Sequence, residues 1–255
     1  MTSGPSGAEG GGPARADGRA ADELRPVSIE TGFMRTALGS ALISVGETRV
    51  ICTASMVDSV PSWREASGLG WLTAEYGMLP ASTGDRKPRD ATRGRQDGRT
   101  VEIQRLIGRS LRAVVDLAAL GPRSVYLDCD VLQADGGTRC ASITGAYVAL
   151  QLAIAPLVES GEIASMPLTD SIAAVSCGIV DGRLLLDLDY REDSSADVDM
   201  NVVMTGSGEL VEVQATGEGV SFPRQSLDGL LDLATRGNEQ LRRAQEEATA
   251  TPASL

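Results

Sequence analysis

Six carboxylates fall within the thirteen residues from Asp187 to Asp199, between the apolar run Leu184-Leu185-Leu186 and the apolar stretch that opens at Met200. Carboxylates gathered where two strands meet hold Mg²⁺, a hard ion that takes oxygen ligands and bridges to substrate phosphates, or act as general acid or base when a neighbour raises one pKa. A solvated hairpin rim is the plain alternative, although Ser194-Ser195-Ala196-Asp197-Val198-Asp199-Met200-Asn201 sets its acids among apolar residues in a way a rim does not require. A second charged segment, Asp85 to Arg112, carries nine Lys or Arg against four acids, a local excess of +5 in a chain whose formal net charge is −12. Such clustering suits a phosphate-rich partner, and a solvated loop and helix face is its alternative. Few aromatics interleave with these cations, so backbone charge, not base stacking, would dominate any nucleic-acid contact.

The third feature is Gln133-Ala134-Asp135-Gly136-Gly137-Thr138-Arg139, which follows the apolar run Val125–Leu132 and leads into another apolar segment. It reads as strand, glycine turn and helix. Paired glycines let the backbone approach a ligand, Thr138 is placed to cap the helix, and the unpaired amides of a helix start favour an anion. Arg139 adds a planar cationic fork suited to phosphate. Together the carboxylates, the basic segment and the anion-favouring turn fit phosphoryl or nucleotidyl transfer, which rests on positioning and charge stabilisation.

The elements that must position these groups follow from periodicity. Ala41–Ser55 predicts a hairpin turning at Gly46-Glu47-Thr48, and Ser171–Tyr190 predicts another at Asp181-Gly182. Met200–Thr205 and Glu209–Ala215 flank Gly206-Ser207-Gly208 as a third. Helix signals begin at Thr100, with Ile103, Leu106, Ile107, Leu111, Val114 and Val115 on one face, Arg105, Arg109 and Arg112 opposite, and a stop at Leu120-Gly121-Pro122. A second helix, through Ile143, Ala146, Tyr147, Leu150, Ile154 and Leu157, ends near Ser160-Gly161, and a last one follows Ser226. Asp58–Pro80 shows no clear period and reads as irregular; Asp85–Gly98 reads as loop. The order of hairpins and helices predicts an α+β domain over residues 15–248, with antiparallel or mixed sheets and packed helices, after a disordered Gly/Ala/Pro tail at 1–14 and before a flexible end at 249–255.

Composition narrows the chemistry further. The chain has no histidine, which removes Ser-His-Asp and Cys-His machinery and histidine metal sites together. Cys52, Cys129, Cys140 and Cys177 lie far apart without a Cys-x-x-Cys pair and read as reduced core thiols. No uninterrupted apolar run reaches the length of a bilayer span and no charged-then-apolar leader opens the chain, so the expectation is a cytoplasmic protein without membrane contact.

Gly98–Arg109, Asp128–Arg139 and Glu192–Val202 closely resemble the ribonuclease PH family, as do Gly70–Pro80 and Glu23-Leu24-Arg25-Pro26, so that the likeness runs from about Arg15 to Glu247. The resemblance implies a fold like domain 2 of ribosomal protein S5 and a phosphate-dependent 3′ exoribonuclease, or tRNA nucleotidyltransferase, acting on tRNA precursors and other structured RNA. In such a reaction phosphate attacks the terminal phosphodiester, a nucleoside diphosphate leaves, and the reverse step adds nucleotides. By position in the motifs it implies that Arg99, Gly137, Thr138 and Arg139 bind phosphate, and that Asp193 and Asp199 hold Mg²⁺ or assist proton transfer, with Asp187 a third metal candidate. It implies RNA contacts from Arg86, Lys87, Arg89, Arg93 and Arg95 and a homohexameric ring, a trimer of dimers. Ala81 stands where relatives often carry arginine, which puts one tRNA contact in doubt. A non-catalytic RNA-binding ring subunit of an exosome-like assembly is the rival, and the retained arginines and aspartates argue against it.

Overall fold

Alternating apolar side chains build the first sheet. The computed structural model describes residues 15–250, and in chain order its first half contains β1 (Val27–Thr31), β2 (Gly39–Val45), β3 (Thr48–Val57), α1 (Ser62–Glu65), β4 (Trp71–Met78), α2 (Asp90–Arg93), α3 (Gly98–Arg112), α4 (Leu117–Leu120) and β5 (Ser124–Gln133). The strands order as β1-β2-β3-β5-β4, antiparallel except for the parallel pair β4 and β5. The second half contains α5 (Thr138–Glu159), β6 (Ile172–Val180), β7 (Arg183–Leu186), α6 (Tyr190–Ser195), β8 (Val198–Thr205), β9 (Leu210–Gly217) and α7 (Arg224–Ala250), and its antiparallel sheet runs β7-β6-β8-β9. The fold is α+β, as the element order predicts. The predicted tail at 1–14 and residues 251–255 lie outside the described residues; α7 continues to Ala250, past the expected boundary at 248.

Helix α5 joins the halves. It packs on β2, β3 and β5 of one sheet and on β6 of the other. That is why its sequence is apolar nearly all round, since a helix covered on both sides has no face to leave polar. By length and mean hydropathy these 22 residues would also suit a bilayer span, although Arg139, Ser142, Thr144 and Gln151 interrupt their apolar run, and most of the helix is buried inside the protein. One core cluster, with Ile43, Leu72, Ile107, Leu127, Ile143 and Leu150, lies under the first sheet, and a second, with Val175, Leu186, Met200, Val202 and Leu230, lies between the second sheet and α7. All four cysteines are free and buried, and Cys52 and Cys129 face each other across β3 and β5.

Several expectations need correction. The segment read as irregular contains β4, whose Leu72, Ala74 and Tyr76 point into the core while Trp71, Thr73 and Glu75 alternate outward. Ala74 and Gly77 blunt that alternation in the sequence. The helix expected to reach Leu120 ends at Arg112, because Val115 bridges to Leu168 and the Asp116 carboxylate accepts from the amides of Ala118 and Ala119, capping a separate turn. Nor is its cationic face merely solvated. Arg112 lies 4.7 Å from the Trp71 ring centroid and donates to the Leu72 carbonyl, and Arg109 pairs with Glu212 at 2.5 Å. Strand β7 stops at Leu186, not Tyr190, since Asp187 takes a left-handed conformation, φ 52°. The turn dipeptide Asp181-Gly182 has positive φ at both residues, as a two-residue hairpin requires.

Candidate active site

Four elements bring charged groups to one seam. Helix α3 presents Arg99 in its first turn, helix α5 presents Arg139 in its own, and the second half presents Asp193 from α6 and Asp199 from β8. Strand period explains the last placement: Asp199, Asn201 and Val203 share a face of β8, and Val203 belongs to the core under α5, so the polar end of that face meets the start of α5. Asn201 links the two, donating from Nδ2 to Asp199 Oδ2 at 3.4 Å and accepting from the Cys140 thiol at 3.2 Å.

The electrostatics tie these residues together. Burial raises the pKa of Asp193, while Arg99, Arg139 and Arg25 pull it back down. Burial and then the Asp193 charge raise Asp199, opposed by Arg139, Arg99 and the Asn201 hydrogen bond. The same two arginines act on Tyr76, whose phenol is raised by burial and held by a 2.9 Å hydrogen bond to Thr138 Oγ1. Arg99 is exposed and forms no hydrogen bond or ion pair among the described residues. Arg139 is mostly covered, donates to Gln214, and sits 3.6 Å from Glu102, which itself accepts from Gln214 at 3.0 Å. Two cations and two carboxyls of raised pKa thus share a seam with no histidine in it.

The glycine turn is built differently from its reading. Thr138 is not the cap; Gly137, φ 65°, occupies that position without a side-chain hydrogen bond, and the Thr138 hydroxyl is committed to Tyr76. The first amides of α5 therefore have no side-chain cap, which keeps the helix start receptive to an anion. The close approach that Gly136 permits is to the protein itself. A Cβ there would stand 2.6 Å from the Leu188 carbonyl oxygen, 2.8 Å from the Asp189 carbonyl carbon and 3.0 Å from the Tyr190 amide. The turn before α5 and the turn entering α6 touch backbone to backbone.

Asp187 does not join the seam. Only 3% exposed, it receives the Arg25 guanidinium at 2.7 and 2.9 Å and the Arg25 amide at 2.8 Å, so its carboxylate is fully engaged away from any ion. Among the described residues no group of three acidic, cysteine or histidine side chains could by itself enclose a metal. The pair Asp193 and Asp199 suits Mg²⁺ nonetheless, because that ion keeps several waters and takes one or two carboxylates plus substrate phosphates.

The basic segment lies beside this seam. Arg86, Lys87, Arg89 and Arg95 are all exposed; the side chain of Arg93 lies outside the described residues. Lys87 and Arg89, with Tyr76, Asp97, Arg99 and Asp130, line a cleft of about 470 Å³ that leads to Arg99, whereas Arg86 and Arg95 are not among its walls. Sequence reasoning missed Tyr76, Glu102, Asn201 and Gln214. The period-two spacing of Asp199 and Asn201 and the helical spacing of Arg99 and Glu102 carried two of them; nothing local marked Gln214, which lies 75 positions from Arg139.

Comparison with known proteins gives the family of the chain. The profile of the 3′ exoribonuclease family, domain 1, matches residues 23–156, and that of domain 2 matches residues 170–237. The ribonuclease PH of Roseobacter denitrificans is 59% identical over 236 residues, 92% of this chain and all of that protein, and the one from Nocardia farcinica is 60% identical over 239 residues, 93% of each. Among solved structures, a chain of the Archaeoglobus fulgidus exosome with RNA bound to the active site superposes with a TM-score of 0.77 at 26% identity, covering 91% of this chain and 92% of that one. Rice Rrp46 shares the fold alone, with a TM-score of 0.74 at 18% identity over 91% of this chain and 98% of that one.

Proposed function

Since the chain belongs to the 3′ exoribonuclease family of ribonuclease PH, we propose that its phosphorolytic 3′-end trimming is carried out at the seam between Arg99, Arg139, Asp193 and Asp199. The protein is a phosphate-dependent 3′ exoribonuclease and tRNA nucleotidyltransferase. An oxygen of inorganic phosphate attacks the terminal phosphodiester, the bond to the 3′-oxygen of the preceding nucleotide breaks, a nucleoside diphosphate leaves, and the shortened RNA ends in a 3′-hydroxyl. The reverse reaction adds a nucleotide and returns phosphate.

In this reading Arg99 and Arg139 seat the attacking phosphate against the uncapped amides of α5, and charge-assisted bonds from the guanidiniums neutralise it as it approaches a second anion. A carboxyl with a raised pKa suits the leaving 3′-oxygen, which needs a proton as its bond breaks. Asp193, on the solvent side of the pair, moves that proton. Asp199, joined by Asp193 when it is ionised, would hold Mg²⁺, which when bound supplies charge neutralisation for the transferring phosphoryl group. Lys87 and Arg89 track the RNA backbone along the cleft, Arg86 and Arg95 add phosphate contacts beyond its walls, and Arg93 is a further candidate of the same basic segment. The reading includes a cytoplasmic homohexamer, supported by the likeness to exosome-core chains; light scattering should give about six times the 26.6 kDa chain mass.

The observation that carries the proposal is the convergence of two helix-start arginines on two carboxylates of raised pKa, 94 to 100 positions away along the chain for Arg99. Incubation with 3′-extended tRNA and Mg²⁺, with and without phosphate, tests it. Diphosphate release only with phosphate is the expected result. Phosphate-independent release of monophosphates would overturn the reading, and no release at all would favour a non-catalytic ring subunit.

A further inference from the structure

The segment ahead of β1 is short of apolar residues yet thoroughly anchored. Arg15, Arg19 and Arg25 are 5%, 8% and 4% exposed, a depth that guanidiniums reach only when paired. All three converge on one stretch, Leu186 to Glu192. Arg15 donates to the carbonyls of Leu186 at 2.8 Å and Asp187 at 2.9 Å, and grips the Glu192 carboxylate from Nε at 2.7 Å and Nη2 at 2.5 Å. Arg19 donates to the same Asp187 carbonyl at 2.9 Å and lies 3.6 Å from Glu192. Arg25 takes the Asp187 carboxylate by both edges and also donates to the Asp135 carbonyl, in the turn before α5.

Each end of that stretch matters to the site. Asp187 is held in a left-handed conformation that a non-glycine residue adopts only when its surroundings dictate it, and every polar atom it has is occupied: the amide by the Ser176 carbonyl, the carbonyl by Arg15 and Arg19, the carboxylate by Arg25. Two residues on, Asp189 and Glu192 close a capping box around the start of α6, and Glu192 is the residue Arg15 grips, next in sequence to Asp193. The turn before α5 is drawn in by the same cations. Arg25 reaches Asp135, whose carboxylate accepts from the Tyr190 amide at 3.3 Å, and Gly136 lies against the backbone of residues 188–190.

We propose that Arg15, Arg19 and Arg25 are positioning residues that clasp the carboxylate-bearing turn of α6 onto the helix start carrying Arg139. Buried ion pairs give little net stability over apolar packing of the same volume; what they specify is geometry. Here they hold carbonyls, a capping carboxylate and two turns in one register, and placement errors of an ångström cost catalysis far more than they cost folding. Arg15 and Arg19 lie ahead of residue 23, where the family profile begins to match. The inference rests on the reading of Arg139 and Asp193 as site residues.

The test measures turnover and phosphate KM per folded molecule for Arg15→Ala, Glu192→Gln and the double variant, with Asp193→Asn in parallel, all in the full chain and well below each melting temperature. Glu192→Gln keeps an acceptor for the capping box and serves should Arg15→Ala fail to fold. Turnover should fall about tenfold or more in Arg15→Ala and less in Glu192→Gln, phosphate KM should stay within about twofold, and the double variant should be no worse than Arg15→Ala because both disrupt one and the same ion pair. Wild-type turnover per folded molecule in both single variants, or a loss confined to phosphate KM, would overturn the clasp while an inactive Asp193→Asn leaves the site reading standing. An active Asp193→Asn would instead overturn the site on which the clasp depends.

Discussion

Gln214 Oε1 accepts a 2.6 Å hydrogen bond from Arg139 Nη1, so the edge strand of the second sheet aims a guanidinium that belongs to the start of α5. Aimed in this way, Arg139 offers its remaining donors without reorganisation. Arg139→Ala should therefore raise phosphate KM by about 10- to 100-fold, the worth of a charge-assisted contact. Arg99→Ala should act similarly with an unchanged melting temperature, since Arg99 supports nothing else; steady-state kinetics at varied phosphate give both values.

Asp199 keeps its proton to higher pH in the folded state than the ordinary carboxylate value of 3.8 allows, through burial and the charge of Asp193. Folding therefore takes up protons between that value and the raised one, and above this window the ionised group opposes folding. Asp199→Asn should melt higher than the parent at pH 7 while losing turnover. The gain should shrink as pH falls through the window; differential scanning calorimetry across pH 4–7 follows it. A lower melting temperature at pH 7 would show that the carboxylate is paired, not strained.

Gly136→Ala sets a methyl group against the Leu188 carbonyl and forces a side chain onto φ 76°. The loss in unfolding free energy should be about 2–4 kcal/mol, combining left-handed strain with backbone overlap. Gly208→Ala, at φ 90° with nothing within 4 Å of its Cβ, should lose only about 1–2 kcal/mol from strain and keep its activity. Urea unfolding of the two variants separates the terms.

Asp187→Ala leaves Arg25 buried without its counter-ion, which should cost about 3–5 kcal/mol of stability. Magnesium affinity, measured by titration on the folded fraction, should fall no further than it does in Arg15→Ala, since each loses one contact of the clasp and neither loses a metal ligand. A selective loss of magnesium binding with unchanged stability would restore Asp187 to the metal site.

Lys87→Ala and Arg89→Ala should weaken tRNA binding without altering phosphate KM on a short substrate. The slope of log affinity against log salt should flatten by about 0.7–0.9 for each RNA phosphate that is no longer neutralised. Fluorescence anisotropy over a range of salt concentrations reads the slope directly.

What was legible in the chain was whatever neighbouring residues determine together. The hairpins at Gly46-Glu47 and Asp181-Gly182, the apolar face from Ile103 to Leu111 and the helix through Ile143 and Leu150 all rest on periods of a few residues, and all are present. Strand β4 escaped because Ala74 and Gly77 mask its alternation, and the end of α3 escaped because Val115 answers to Leu168, 53 positions on. At the site, Arg99, Arg139, Asp193 and Asp199 share one electrostatic environment. Asp187 was misjudged for a physical reason. A carboxylate beside an apolar strand looks the same in sequence whether it faces an ion or an arginine 162 residues earlier.

The division of the seam between two sheets bears on how the enzyme comes into being. Arg15 reaches only the nearby carbonyls of Ala20 and Glu23 until Glu192, 177 positions later, is made, and the arginines of α3 and α5 meet neither Asp193 nor Asp199 until the second sheet has formed. A chain cut short before Val198 holds the phosphate-seating half and lacks Asp199. On the proposed reading such a product seats phosphate but cannot turn RNA over, so the capacity to degrade RNA arises only once the second sheet is made.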